Sequence, residues 1–167
     1  KGLRDKGHTI TVLTGIPNYP KGEAFPGYAW PARRKDTWEG MEILRVPLYS
    51  RRQSRGRHLA LNYLSFLLSA SLFGPFFLRK RSFDIVFVPN YSPATVGIPG
   101  ALLARLKKAP MIFWVQDLWP ESLSATNMVR SPVLLGAVGQ MMRWIYRRSA
   151  LIGTQSRAFF PAVEEWG

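Results

Sequence analysis

The 167 residues carry 23 Lys and Arg against 10 Asp and Glu, a formal net charge of +13, and the 47% hydrophobic and 13% aromatic content excludes a disordered chain. There is no cysteine, and His8 and His58 are the only histidines, which excludes disulfide frameworks, thiolate nucleophiles and Cys-type zinc sites and argues against any metal centre. The length predicts a single domain over residues 1–167, the lack of cysteine fits a reducing cytoplasm, and the positive surplus predicts an anionic partner: nucleic acid, an acidic membrane surface or a phosphorylated ligand.

In chain order, residues 9–14 (TITVLT) form a β-branched run bounded by Gly7 and Gly15 and read as a first strand. His8, just before it, is expected to end a preceding helix. Residues 42–47 (EILRVP) alternate, which places a second strand toward a sheet edge. A dense basic run follows, with Arg51, Arg52, Arg55 and Arg57, and His58 within it is expected to be solvated.

Residues 59–78 are uncharged and meet the length rule for a membrane span, about 20 residues, before Arg79, Lys80 and Arg81. Asn62, Tyr63, Ser65, Ser69 and Ser71 speak against a span, and Gly74-Pro75 is expected to break the helix near its end. A core helix, a helix in the membrane interface and a true span compete. The favoured reading is a packed helix with one face on an anionic membrane, pinned by its basic flanks.

Further strands are expected over residues 85–88 (IVFV), Met111–Val115 (MIFWV) and residues 151–153 (LIG). Helices are expected over residues 93–107 and 132–148, and from Arg157 with Ser156 as its N-cap. Strands alternating with helices predict an α/β domain with a parallel sheet flanked by helices. Ligands in such sheets bind beyond the carboxyl ends of the strands. That directs attention to residues 17–20 (PNYP), 89–93 (PNYSP), 116–122 (QDLWPES) and 154–156 (TQS).

The stretches GHTITVLTGIPNYPKG, LNYLSFLLSA, VPNYSP and above all WVQDLWPES resemble retaining family 4 glycosyltransferases of the GT-B fold, nearest to the N-acetyl-L-fucosamine transferases of bacterial O-antigen and capsule assembly. The resemblance runs over nearly the whole chain, and QDLWPES is its specific part. It implies the Rossmann-like N-terminal, acceptor-side half of a GT-B enzyme. It further implies a first strand with a Gly-rich loop that is missing here, and a separate C-terminal domain that holds the nucleotide-sugar, a UDP-sugar. This stretch alone is therefore expected to be inactive.

The same resemblance makes Gln116, Asp117 and Glu121 the catalytic candidates. Many relatives have a His where Gln116 stands; an amide cannot serve as acid or base but can hydrogen-bond. Asp117 and Glu121 are candidates for gripping acceptor hydroxyls, with a cap at Asp117 and a turn shaped by Pro120 as the structural alternative. Four residues apart, the two carboxylates would face one way on a helical turn; a carboxylate-pair glycosidase would need such a pair, but nothing else supports hydrolysis.

Asn18, Tyr19, Asn90, Tyr91, Ser92 and Trp119 are the substrate-binding candidates, since Tyr stacks on sugars and Asn hydrogen-bonds them. Asn and Pro are equally ordinary turn residues. Trp114 reads as core, and Trp119 as either cleft or core.

Sugar transfer from a nucleotide-sugar to a lipid-diphosphate-linked saccharide, at the inner face of a bacterial membrane, is the leading function. Arg51, Arg52, Arg55, Arg57, Arg79, Lys80 and Arg81 would then contact the anionic surface. The alternative is a basic module without enzymatic activity, binding nucleic acid or a membrane surface. No nucleic-acid-binding motif appears, so no nucleic acid partner is expected.

Overall fold

The computed structural model of the chain describes residues 2–28, 30–31, 34–51 and 56–167. Its apolar runs become strands in two three-stranded sheets, one in each of two compact units, Lys1–Lys80 and Arg81–Gly167.

In the first unit, α1 (Gly2–Asp5) is closed by Gly7 at φ 90°, a left-handed position that suits glycine. The Gly7 N–H donates to the Arg4 carbonyl at 2.8 Å and the His8 N–H to the Leu3 carbonyl at 3.2 Å. His8 thus ends the first helix, as its sequence context predicts. β1 (Thr11–Gly15) pairs in parallel with β3 (Met41–Val46), and β3 pairs antiparallel with β2 (Lys35–Trp38), in the order β1-β3-β2.

β3 is therefore central, which corrects the edge placement read from its alternation. Its charged residues are matched across the ladder: Glu42 pairs with Lys35 at 3.0 Å and Arg45 with Asp36 at 3.4 Å. Alternation here reflects ion pairing over a central strand whose Ile43, Leu44 and Val46 are buried. β2 has no apolar run and was not expected. It is made by a two-residue hairpin loop at Glu39 and Gly40, both at positive φ (47° and 76°), as a type I′ turn requires.

The long uncharged segment is α2 (Gly56–Leu78), which packs on β1 and β3. It runs through Pro75 to Leu78, so the expected break at Gly74-Pro75 does not occur. A proline this close to the helix end forfeits a single bond, to the carbonyl four residues back. His58 is not simply solvated: its Nδ1 lies 2.8 Å from the Tyr49 hydroxyl and its ring stacks on that of Tyr49.

The second unit is the parallel α/β pattern expected from the sequence. β4 (Val86–Asn90), β5 (Met111–Val115) and β6 (Leu151–Thr154) lie in the order β4-β5-β6, all parallel. A 3-10 turn (Ala94–Val96) and α3 (Gly97–Lys107) connect the first two strands. α4 (Glu121–Ala125) and α5 (Pro132–Tyr146) connect the next pair. A turn at Arg157–Phe159 and α6 (Phe160–Trp166) follow β6.

Ser131 accepts from the Leu134 N–H at the start of α5, with Pro132 in the first turn, where its missing N–H costs no helix bond. Val88, Met111, Phe113 and Val115 of the sheet are buried with Met142, Ile145 and Tyr146 of α5. α3 reaches the sheet through Gly100, where a Cβ would collide with Val88.

Candidate functional site

The three parallel strands of the second unit end in a row at Asn90, Val115 and Thr154, in register with one another. Their following loops hold most of the residues singled out from the sequence. Asn90 closes β4 and is fully buried. Its carbonyl accepts from the Gln116 N–H at 3.0 Å, and its Nδ2 donates to the Asp117 carbonyl at 3.1 Å. The Gln116 carbonyl in turn accepts from Gln155 Nε2 at 3.3 Å. One backbone bond and two side-chain bonds thus tie the QDLWPES loop to the end of β4 and to the loop after β6.

Both carboxylates of that loop are held by indoles. Trp119 Nε1 donates to Asp117 Oδ2 at 2.9 Å, and Trp166 Nε1 donates to Glu121 Oε1 at 3.0 Å. Asp117 lies in a bend before α4 and Glu121 opens that helix, so the two do not share a helical turn. The one-face arrangement expected from their spacing is thereby corrected: each has its own partner on a different element. Trp119 is buried, which settles it as packed beneath the loop rather than lining an open surface. Trp114 packs against Gly153 of the neighbouring strand.

Glu121 also bears on Tyr146. Burial first, and then the Glu121 charge, push the Tyr146 phenol well above its ordinary value of 10, so it stays neutral. Tyr146 meets the Phe113 ring edge-on. Tyr91, in the loop after β4, is exposed, and so is Ser92, held at φ 149°. Ser156 accepts from the Ala158 N–H at 3.2 Å, the cap expected of it.

Several side-chain oxygens of this unit are buried without a partner: Asn90 Oδ1, Gln116 Oε1, Glu121 Oε2 and Thr95 Oγ1. The first three are pure acceptors. An orphaned buried acceptor costs about 1–3 kcal/mol, so this set calls for hydrogen-bond donors. Thr95, Tyr146 and Trp166 were not picked out from the sequence. Thr95 carries a weak signal, two residues past the PNYSP stretch, whereas Trp166 stands 45 residues from the carboxylate it holds.

In the first unit, Asn18 and Tyr19 follow the carboxyl end of β1. The Asn18 carbonyl accepts from the Gly22 N–H at 2.6 Å, its Nδ2 is buried without a partner, and Tyr19 is exposed. Gly22, at φ 77°, lies under the Arg51 side chain. Past the end of β3, an apolar groove of about 390 Å³ is lined by Pro47, Leu48, Tyr49, Ser65, Leu68 and Leu72 among others.

Of the basic residues, Arg52 and Arg55 lie outside the described residues. Arg57 and Lys80 are exposed, the Arg79 guanidinium sits 4.6 Å over the Phe76 ring, and the Arg81 carbonyl accepts from Lys107 Nζ at 2.9 Å. No group of three or more metal-ligating side chains occurs among the described residues.

No curated protein matches the chain. The family model of the glycosyl transferase 4-like domain matches residues 1–167, the whole sequence; with its parallel α/β unit and polar loops at the strand ends, the chain belongs to that family, whose general chemistry is glycosyl transfer.

Proposed function

We propose that the chain is the acceptor-side domain of a retaining glycosyltransferase. In this reading a UDP-sugar, held by a further C-terminal domain, gives its sugar to a lipid-diphosphate-linked saccharide in cell-surface polysaccharide synthesis. The observation that carries the reading is the set of unpartnered acceptors at the carboxyl ends of β4 and β5: Asn90 Oδ1, Gln116 Oε1 and Glu121 Oε2. A saccharide is a ligand rich in hydroxyl donors, and it answers that need.

Gln116 accepts from an acceptor hydroxyl and, as an amide, takes no proton. Trp119 fixes the Asp117 carboxylate through Oδ2 and leaves Oδ1 to orient the attacking hydroxyl. The new bond forms from that hydroxyl oxygen to the anomeric carbon as the bond to the nucleoside diphosphate breaks. The hydroxyl proton leaves with the diphosphate. Tyr91 and Ser92, in the exposed loop after β4, contribute contacts to the saccharide.

The test is sugar transfer by the full-length polypeptide from a panel of UDP- and GDP-sugars to a lipid-diphosphate-linked saccharide. A neutral hydrogen bond is worth about 0.5–1.5 kcal/mol. Gln116→Ala is therefore expected to raise the KM for the saccharide roughly 2- to 12-fold while the donor KM stays put. Asp117→Ala is expected to lower kcat. A rise confined to the donor KM, or no transfer with any donor, overturns the proposal.

A further inference from the structure

α2 is apolar on its outward face as well as on its packed one. At helical spacing, Leu61, Leu64, Leu68, Leu72 and Phe76 form one stripe, and all five are 45–69% exposed. The opposite face packs inward and is mixed: Asn62, Ser69, Ala70, Gly74 and Leu78 are buried, and Phe73 and Phe77 lie against the Trp30 ring. Its polar groups are spent on the backbone of the irregular segment that follows β3. Asn62 Nδ2 donates to the Tyr49 carbonyl at 2.6 Å, Ser69 Oγ to the Pro47 carbonyl at 2.7 Å, and Ser65 Oγ accepts from the Tyr49 N–H at 2.9 Å. Asn62, Ser65 and Ser69, which argue against a membrane segment on paper, face the protein, while Leu61, Leu64, Leu68 and Leu72 face out.

Charge frames the stripe. Arg57 stands at its start, and Arg79 and Lys80 at its end, roughly 33 Å away along the helix. Residues 1–80 hold 14 Lys and Arg against 5 Asp and Glu, a surplus of +9 within the +13 of the chain. Leu68 and Leu72 also line the apolar groove beyond β3, so the stripe continues into a recess.

We infer that α2 lies in the plane of an anionic lipid surface, with the Leu61–Phe76 stripe among the acyl chains and Arg57, Arg79 and Lys80 among the headgroups. α2 is long and apolar enough to cross a bilayer. A span, however, would carry the backbone of residues 47–49, bonded to its inner face, into hydrocarbon and put the two basic ends on opposite sides. An in-plane helix keeps both ends in one headgroup layer and sinks its apolar face about 5–10 Å. The inference stands apart from the transferase reading, because it is measured without any sugar transfer.

The experiment is co-sedimentation of the purified full-length protein with vesicles of phosphatidylcholine containing 30% phosphatidylglycerol, against pure phosphatidylcholine, at low and high salt. Each basic group near an anionic leaflet adds about 1 kcal/mol, a factor of about 5. Arg79→Gln with Lys80→Gln is thus expected to weaken binding roughly 25-fold. Leu64→Ser with Leu68→Ser and Leu72→Ser alters only exposed side chains and is expected to weaken it at least as much, with circular dichroism unchanged.

Alkaline carbonate is expected to release the bound protein. Equal binding to neutral vesicles, binding untouched by the leucine variant, or retention through carbonate would each overturn the inference. So would a leucine-dependent dimer that ignores vesicles, or preferential capture by random-sequence RNA.

Discussion

Trp119→Phe tests whether the QDLWPES loop is held as described. The indole N–H of Trp119 meets a carboxylate oxygen of Asp117 at 2.9 Å, and the ring is 7% exposed. A hydrogen bond to a charged group contributes about 1.5–3 kcal/mol. Replacing the indole by a phenyl ring also leaves a small void, at about 24 cal/mol per Å³ on the order of 1 kcal/mol. The loss should therefore be about 3 kcal/mol, most of it from the hydrogen bond. With a urea slope of roughly 1–3 kcal/mol/M the midpoint falls by about 1–3 M.

A double-mutant cycle with Asp117→Ala separates the two contributions, since the void is common to both backgrounds. The coupling energy is expected to reach about 1.5 kcal/mol or more, whereas unconnected sites add within about 0.5 kcal/mol. Additivity would refute the bond, and with it the view that Trp119 aims Asp117. In the transfer assay, Asp117→Asn keeps an oxygen for the indole but no charge. Retained kcat in that variant would make Asp117 a positioning group only.

Two further outcomes follow from the second unit. Gly100→Ala sets helix propensity, a gain of about 1 kcal/mol, against a Cβ that collides with Val88 and lies 3.4 Å from Met111 Sδ, an overpacking cost of about 1–3 kcal/mol. Because Val88 is a stiff strand residue, a net loss is expected in urea unfolding, relieved by Val88→Ala in the same chain, and a stabilised Gly100→Ala would contradict the packing. Tyr146 has its pKa raised in the folded state, so below pH 10 both states keep the proton and no pH dependence arises. Above pH 10 the unfolded chain releases a proton that the native one holds, and stability falls by up to about 1.4 kcal/mol per pH unit. Urea midpoints at pH 8, 10 and 11 should show that extra slope in the native chain and not in Tyr146→Phe, and parallel curves would refute it.

Where apolar runs are short and unbroken, the fold was legible. MIFWV is β5 residue for residue, and IVFV and LIG fall within β4 and β6 to one or two positions. β5 has no exposed residue, so composition alone marks it. β2 (KDTW) was illegible because its stability lies in pairing: Lys35 and Asp36 need Glu42 and Arg45 diagonally across the ladder. The Glu39-Gly40 turn was the one available signal.

The candidate site divides in the same way. That Asn90, Gln116 and Asp117 sit at strand ends follows from the α/β pattern, because polar punctuation after a parallel strand lands on the ligand side. What holds them does not follow, since the donors to Asp117 and Glu121 are indoles, and Trp166 comes from the far end of the chain.

The orientation of α2 is the instructive failure of pattern reading. Helical spacing leaves α2 apolar on two faces, Leu61, Leu64, Leu68 and Leu72 on one and Phe73, Phe77 and Leu78 beside Asn62 and Ser69 on the other, so hydropathy alone does not choose which is turned inward. That measure weighs only apolar burial. Here the inner face meets the Pro47 and Tyr49 carbonyls and the Tyr49 N–H, which no ladder satisfies, and each left unpaired costs about 1–3 kcal/mol. Three such groups balance much of what five half-exposed apolar side chains forgo, about 1 kcal/mol apiece. In water that is close to a standoff. An apolar cover over the stripe decides it, because the polar bonds are then kept and the leucines are buried as well. The anionic lipid surface proposed above would be such a cover, and the +9 surplus of the first 80 residues suits it.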